Sequence, residues 1–230
     1  MHFFDQYPQF YESGITPNAN RLRCRYDGII QANLDILQDA RVLDVASHNG
    51  RWSAAAVLGG KAAHVVGIEP RADLVEQANL IATNIGIKRQ VEFRAATIME
   101  FLETSRPRAD SFDVVMCNGY FYHTYDHWQL LKEFRRIGRH LILDSEVSRR
   151  PALAIFYEQE PSANIGNAVN ETGDGVALVG RPTKKLPTEM LRVAGYRSWQ
   201  YFNWQDYRYP STEWMKNYIE GRRVTVRASR

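Results

Sequence analysis

The sequence has only two cysteines, Cys24 and Cys117, and no CxxC pair. That excludes a disulfide framework and a thiolate zinc site. No uncharged apolar run approaches the roughly 18 residues that a membrane-spanning helix needs. The opening MHFFDQYPQFYESG has no basic stretch followed by an apolar one, so no secretory signal is expected. Charge of one sign is also scarce: 29 basic against 26 acidic residues leave a net +3. A field that small does not mark a dedicated nucleic-acid binder. Arginines recur in pairs, such as Arg135–Arg136, Arg149–Arg150 and Arg222–Arg223, with Arg21, Arg23 and Arg25 spread along the first helix region. Scattered solvated arginines are the plainer account of them. Internal repeats and Gly/Ser linkers are missing too. The expectation is one soluble domain over 1–230 in a reducing compartment, the cytoplasm, with no membrane partner and with a homodimer left open.

What is present is an ordinary globular composition with an aromatic excess: 44% hydrophobic, 24% charged and 12% aromatic. Short apolar runs alternate with helical periodicity. Residues 25–38 read as a helix, 40–47 as a strand, 51–59 as a helix and 64–70 as a second strand. Then follow a helix over 72–86, a strand over 90–98, a short helix over 99–103 and a strand over 111–119. A helix over 126–138 leads to a fifth strand over 140–148. This rhythm implies βαβ units and a parallel sheet covered on both faces. Residues 149–174 are polar and break it, reading as an active-site insertion. The alternation resumes with 175–180, a helix over 187–195, and two β-rich runs, 197–204 and 222–229, read as an antiparallel edge hairpin.

In such a sheet, ligands bind beyond the carboxyl ends of the strands. The first strand runs into DVASHNGRW (44–52), a tight turn feeding a helix. The second ends at Glu69, 25 positions after Asp44. A carboxylate there can accept both hydroxyls of a ribose. A dinucleotide site would need several glycines near the pyrophosphate, yet this turn has only Gly50. Asp44 would repel a pyrophosphate and suit a cationic ligand. S-adenosylmethionine, with its sulfonium, amino group and ribose but no phosphate, fits that pattern.

RVLDVASHNGRW, VVGIEPR, VEFRAATI and FDVVMCNG, in this order, resemble the motif set of class I S-adenosylmethionine-dependent methyltransferases. The resemblance spans about 25–230. It implies a Rossmann-like fold with a mostly parallel seven-stranded sheet, an antiparallel terminal hairpin and helices on both faces. The family's acidic-x-Gly-x-Gly-x-Gly stands here as Asp44, Ala46, His48 and Gly50, so two of three glycines are replaced. By carry-over, Asp44, Ala46, His48, Asn49, Gly50 and Trp52 line the methionine part of the methyl donor. Glu69 and Pro70 hold the ribose, Ala96 and Thr97 lie by the adenine, and Asn118 and Gly119 face the transferred methyl.

Methyl transfer to an oxygen needs a positioned nucleophile and a group that removes its proton. The segment NGYFYHTYDHW (118–128) supplies His123, the preferred general base, and His127 in the first turn of a helix capped by Asp126. Asp144, at the end of the fifth strand, is a second catalytic candidate. Asp144 and Glu146 alternate onto one face and form an oxygen-rich pair suited to Mg²⁺. Glu171 would complete the metal set, with Glu158, Glu160, Asn164, Asn167 and Asn170 as further oxygen donors. The arrangement is similar to sugar O-methyltransferases of methylated mannose polysaccharide pathways, so the expected acceptor is a small polar molecule or oligosaccharide. A tRNA wobble-uridine carboxyl methyltransferase also has a YH-type segment here, which keeps an RNA acceptor as the alternative. A non-catalytic donor-binding subunit is a third. The aromatic N-terminus, 1–24, is expected to be a lid that stacks on the acceptor.

Overall fold

A computed structural model describes residues 2–11, 18–161 and 175–230. The first helix, α1 (Ala19–Ile29), begins earlier than predicted, because Asn18 caps it by accepting from the Arg21 N–H at 3.3 Å. It also ends early. Asn33 Nδ2 donates to the carbonyls of Gly28 and Ile29 at 3.3 and 3.0 Å, which closes the helix end. A single helical turn, α2 (Leu34–Leu37), then leads into β1 (Arg41–Val45). The predicted continuous helix over 25–38 is therefore two pieces joined by a 3₁₀ turn.

The rest of the Rossmann-like half follows the expected rhythm. After α3 (Arg51–Ala54) come β2 (His64–Glu69), α4 (Ala72–Asn84), β3 (Val91–Ala95) and α5 (Ile98–Ser105). Next are β4 (Phe112–Asn118), α6 (His127–Ile137) and β5 (Gly138–Glu146). The strands β6 (Ile155–Pro161) and β7 (Val176–Pro182) precede α7 (Leu186–Ala194), β8 (Ser198–Tyr201), α8 (Lys216–Ile219) and β9 (Arg223–Ser229).

Seven strands make one sheet in the order β3-β2-β1-β4-β5-β9-β8, with β1 to β5 parallel and β9 antiparallel to both neighbours. Strand residues alternate between its faces. Val114, Met116 and Ile142 join the core under α1, α3 and α4, while Val115, Cys117, Leu141 and Leu143 join the core under α5, α6 and α7. Both faces are covered, which is why these strands read as continuous apolar runs.

Strand order along the sheet reverses at β1, which lies between β2 and β4. The crevice beyond Val45 and Asn118 is thus the place where a ligand fits.

One predicted strand falls elsewhere. Residues 176–182 do not join the main sheet but pair antiparallel with 155–161 in a separate two-stranded ribbon. β6 carries Glu158 and Glu160, which pair with Arg181 of β7, so its sequence reads as a polar loop. Part of the predicted insertion, 162–174, lies outside the described residues.

The N-terminal stretch is anchored. Phe4 and Phe10 are fully buried, and Phe4 meets Trp52 edge-on at 5.5 Å. Phe3 stacks on Tyr26 at 5.2 Å. Residues 19–24 are the start of α1 itself. These rings fill the core rather than stand free over the crevice, a correction to the expected lid.

Candidate active site

The turn after β1 holds three residues in the left-handed region: Ala46 at φ 54°, His48 at φ 53° and Gly50 at φ 79°. They are the three positions where the resembled motif carries glycine. At Gly50 a side chain would also crowd its neighbours, since a Cβ there would lie 2.7 Å from Phe93 Cζ and 3.3 Å from Ala78 Cβ. Ala46 and His48 adopt the same region at a cost of about 1–2 kcal/mol each. The turn directs the His48 N–H onto Glu69 Oε2 at 3.0 Å, while the Arg71 N–H reaches Glu69 Oε1 at 3.1 Å. Burial pushes the Glu69 pKa up against these two bonds.

Asp44 is buried at the end of β1, with one oxygen accepting from Ser53 Oγ at 2.6 Å. Burial raises its pKa to about 7, the Ser53 bond opposing and Glu69 adding to the shift. Its other oxygen, Oδ1, has no partner; nor do Ser47 Oγ and both side-chain polar atoms of Asn118. An unpaired buried polar atom costs about 1–3 kcal/mol. Several of them at the carboxyl ends of β1 and β4 mark a site completed by a ligand. The donor set fits S-adenosylmethionine: an uncompensated carboxylate for its cationic part, amide groups for its amino-acid part and Glu69 for a diol.

Other carried-over positions fare differently. Asn49 is fully buried, and its Oδ1 accepts from Arg51 Nε at 3.3 Å. Burial, then Arg51, holds the His48 pKa down to about 4. The Ala96 N–H donates to the Glu69 carbonyl at 3.1 Å, which sets it beside Pro70 and the ribose position. Thr97 caps α5: its hydroxyl accepts from the Glu100 N–H at 3.1 Å, and Glu100 Oε2 accepts from the Thr97 N–H at 2.7 Å. Trp52 is a correction. Its ring packs in the core against Phe4, with the Arg25 guanidinium 5.0 Å above it.

At the end of β5, Asp144 is fully buried and fully engaged. Oδ1 accepts from Arg25 Nη2 at 2.9 Å and from Arg223 Nε and Nη2 at 2.7 and 2.6 Å. Oδ2 accepts from Tyr218 OH at 2.9 Å and Thr225 Oγ1 at 2.6 Å. Burial pushes its pKa up, but Arg223 and Arg25 outweigh that and hold it well below the carboxylate range. Glu146 does share a partner with Asp144, but the partner is Arg223, with Nη1 3.6 Å away. Arg181 takes the rest: its guanidinium binds Glu146, Glu158 and Glu160 at 3.1, 2.6 and 2.7 Å.

These carboxylates are spent on arginines, so the donor set does not suit Mg²⁺. Among the described residues no group of metal ligands comes together. Glu171, Asn164, Asn167 and Asn170 lie outside them. Asp144 is equally unsuited as a base, since every lone pair faces a donor.

The histidines sit under the ribbon. His127 opens α6 after Asp126, and its Nε2 is 2.8 Å from the Gly180 carbonyl on β7, so it ties ribbon to domain. His123 ends a 3₁₀ turn (Phe121–His123), is 8% exposed, and its Nδ1 has no partner. Burial, opposed by Glu160, lowers its pKa to about 4, so the ring is neutral at physiological pH. The Gly119 N–H is bonded to the Asp144 carbonyl at 2.8 Å, which fixes the entry to this segment.

Residues 36–195 match the family model described as a methyltransferase domain. The chain belongs to that family. Its fold is that of S-adenosylmethionine-dependent methyltransferases. The methyltransferase superposes on the N-terminal domain of EvdMO1, solved in the presence of SAH and D-fucose. The TM-score is 0.62 at 18% identity, covering 92% of this chain and 82% of that one. It also superposes on a methyltransferase of Mesorhizobium loti, with a TM-score of 0.59 at 14% identity, covering 87% of this chain and 95% of that one. In sequence it is 32% identical over 118 residues to a tRNA U34 carboxymethyltransferase of Cellvibrio japonicus, covering 50% of this chain and 35% of that protein. The methyltransferase thus spans about a third of the length of the curated relatives it matches. None of its helices is long and apolar enough to cross a membrane among the described residues.

Sequence reasoning missed the arginines of this methyltransferase's site. Arg25 and Arg223 are 6% and 4% exposed, not solvated. Nothing local distinguishes them from the exposed pairs; long-range contacts do, the β5–β9 register for Arg223 and the packing of α1 against Asp144 and Trp52 for Arg25. Ser53 carried a fainter signal, as a hydroxyl at the start of the helix that follows the Asp44 turn.

Proposed function

We propose that the methyltransferase transfers a methyl group to a hydroxyl of a small polar acceptor, a sugar or oligosaccharide, with His123 as general base. Bound S-adenosylmethionine would supply an electrophilic methyl on a sulfonium. Glu69 would hold its ribose, with Ala96 and Thr97 by the adenine. Asp44, Asn49 and the 46–50 turn would hold its methionine part. Asn118 and Gly119 would border the transferred methyl. The acceptor oxygen would take that methyl as the sulfur–carbon bond breaks, and its proton would pass to Nδ1 of His123. The buried site would exclude competing water.

The observation that carries this reading is the unpartnered Nδ1 of neutral, buried His123, in the turn that follows the end of β4 at Asn118. The EvdMO1 domain, solved with D-fucose present, adds support for a sugar acceptor.

A second reading, an RNA acceptor, is favoured by the relatives named tRNA U34 carboxymethyltransferase. Against it stands the burial of Arg25 and Arg223, which removes both from any phosphate-binding face. The test is transfer of labelled methyl to a panel of sugars and to tRNA, with and without chelator. Sugar labelling that survives chelator supports the proposal. Labelling of tRNA alone, with steep salt dependence, supports the second reading.

A further inference from the structure

β8 ends at Tyr201, opposite Val226, whereas β9 extends past it to Arg223. A cavity of about 770 Å³ fills the space beyond the end of β8. That lies within the roughly 300–1,000 Å³ of small-molecule sites. Tyr201, Phe202 and Trp204 line it from the β8 side, Lys184 and Lys185 from the start of α7, and Arg223 closes its inner end.

Two features give the cavity a ligand chemistry. The first is ring surface. Phe202 and Tyr201 are only half-buried, with Phe202 held against Trp204 at 4.5 Å. The polar tip of Tyr201 is already bonded to Thr188 Oγ1 at 2.9 Å, and Trp204 Nε1 donates to Thr225 Oγ1 at 3.1 Å. The rings therefore offer flat surface rather than unmet polar groups. The second is charge. Lys184 and Lys185 are exposed and form no ion pair among the described residues. Glu189, the cavity's own carboxylate, is 3.1 Å from Arg192. Arg223 is neutralised by Asp144 and Glu146. The uncompensated charge at the mouth is positive and comes from the two lysines.

Arg223 is the wall that the cavity shares with the reaction centre proposed above: its Nη2 would lie 3.2 Å from a Cβ built on Gly119. It also binds Asp144, which sits opposite Asn118 in the β4–β5 register. We propose that this cavity is the acceptor subsite and takes a pyranose carrying one anionic group, a carboxylate or a phosphate. The sugar ring lies on Phe202 and Tyr201, and the anion meets Lys184 and Lys185. The inference rests on the sugar-acceptor reading and narrows it to acidic sugars.

The test is titration calorimetry on the intact protein with glucuronate, glucose-6-phosphate, glucose and inorganic phosphate, alongside SAH. The two acidic sugars are expected to bind about tenfold or more tightly than glucose, the equivalent of one well-placed charge contact. Glucuronate against glucose-6-phosphate separates the two sources of the anion. The K184E/K185E double variant should erase that preference, and F202A should weaken charged and neutral sugars alike, while SAH affinity stays unchanged in both. Equal binding of glucose and the acidic sugars would overturn the proposal. So would an acid preference that survives K184E/K185E, or phosphate binding as well as glucose-6-phosphate. Methyl transfer to sugars without this binding pattern would sink the cavity and leave the parent reading standing. The binding pattern without any methyl transfer would support the site and its ligand class and remove the parent reading.

Discussion

Arg223 grips Asp144 from two nitrogens, Nε at 2.7 Å and Nη2 at 2.6 Å, at a point where both side chains are almost wholly buried. With Arg25, Tyr218 and Thr225 they join α1, α8 and β9 to the end of β5. Removing the Asp144 charge would leave the buried Arg25 guanidinium without its counter-ion and Arg223 with only Glu146, 3.6 Å away. D144N is therefore expected to lower stability by about 3–5 kcal/mol in denaturant unfolding. The lowered pKa gives the pH dependence. The Asp144 contribution is complete above the ordinary carboxylate value near 4 and is lost as pH falls through the lowered one. Full stability with turnover abolished would instead make Asp144 a catalytic group.

Much of the molecule was legible in the sequence. The strands β1 to β5 announce themselves as apolar runs because both sheet faces are covered, and DVASHNG followed by Glu69 places the donor crevice. What stayed hidden depends on contacts far apart in the chain. Arg223 looks like any surface arginine until the β5–β9 register buries it, and Arg25 until α1 sets it between Asp144 and the Trp52 ring. β6 reads as a polar loop because Glu158 and Glu160 face Arg181 rather than solvent alone. Asn33 ends the predicted helix through a side-chain bond that periodicity does not register.

Asp44 ties donor binding to pH. Its raised pKa of about 7 means that the unliganded site holds a proton that a cationic ligand must displace. SAH affinity is expected to fall as pH drops below about 7, approaching tenfold per unit. His48, neutral above about 4, adds nothing near neutrality. The same shift costs stability as pH rises from the ordinary value near 4 to about 7, so D44N should stabilise the unliganded protein at alkaline pH. It should also weaken SAH binding and flatten its pH profile. Affinity that is level across neutral pH in the wild type would contradict this.

The buried N-terminal aromatics predict a stability effect. F4A empties a fully buried site between Phe10, Tyr26 and Trp52 and should cost about 3–5 kcal/mol in thermal or denaturant unfolding. A variant of unchanged stability with impaired turnover would restore the lid.

The left-handed residues of the donor turn predict the opposite sign. A46G places glycine where φ is 54° and should raise stability by about 0.5–1 kcal/mol, because relief of the strain outweighs the freer unfolded chain. A loss on unfolding would show that the Ala46 methyl contributes contacts worth more than the strain.

The central claim is that neutral His123 takes a proton from a sugar hydroxyl as the methyl arrives. Single-turnover transfer of tritiated methyl to an acidic hexose, comparing wild type with H123A and H123Q, tests it most directly. The account predicts a labelled sugar, a loss of about 10²–10⁴-fold in the chemical step for both variants, and SAH affinity within twofold of wild type. Near-native transfer by both variants, or label carried only by RNA, would contradict it.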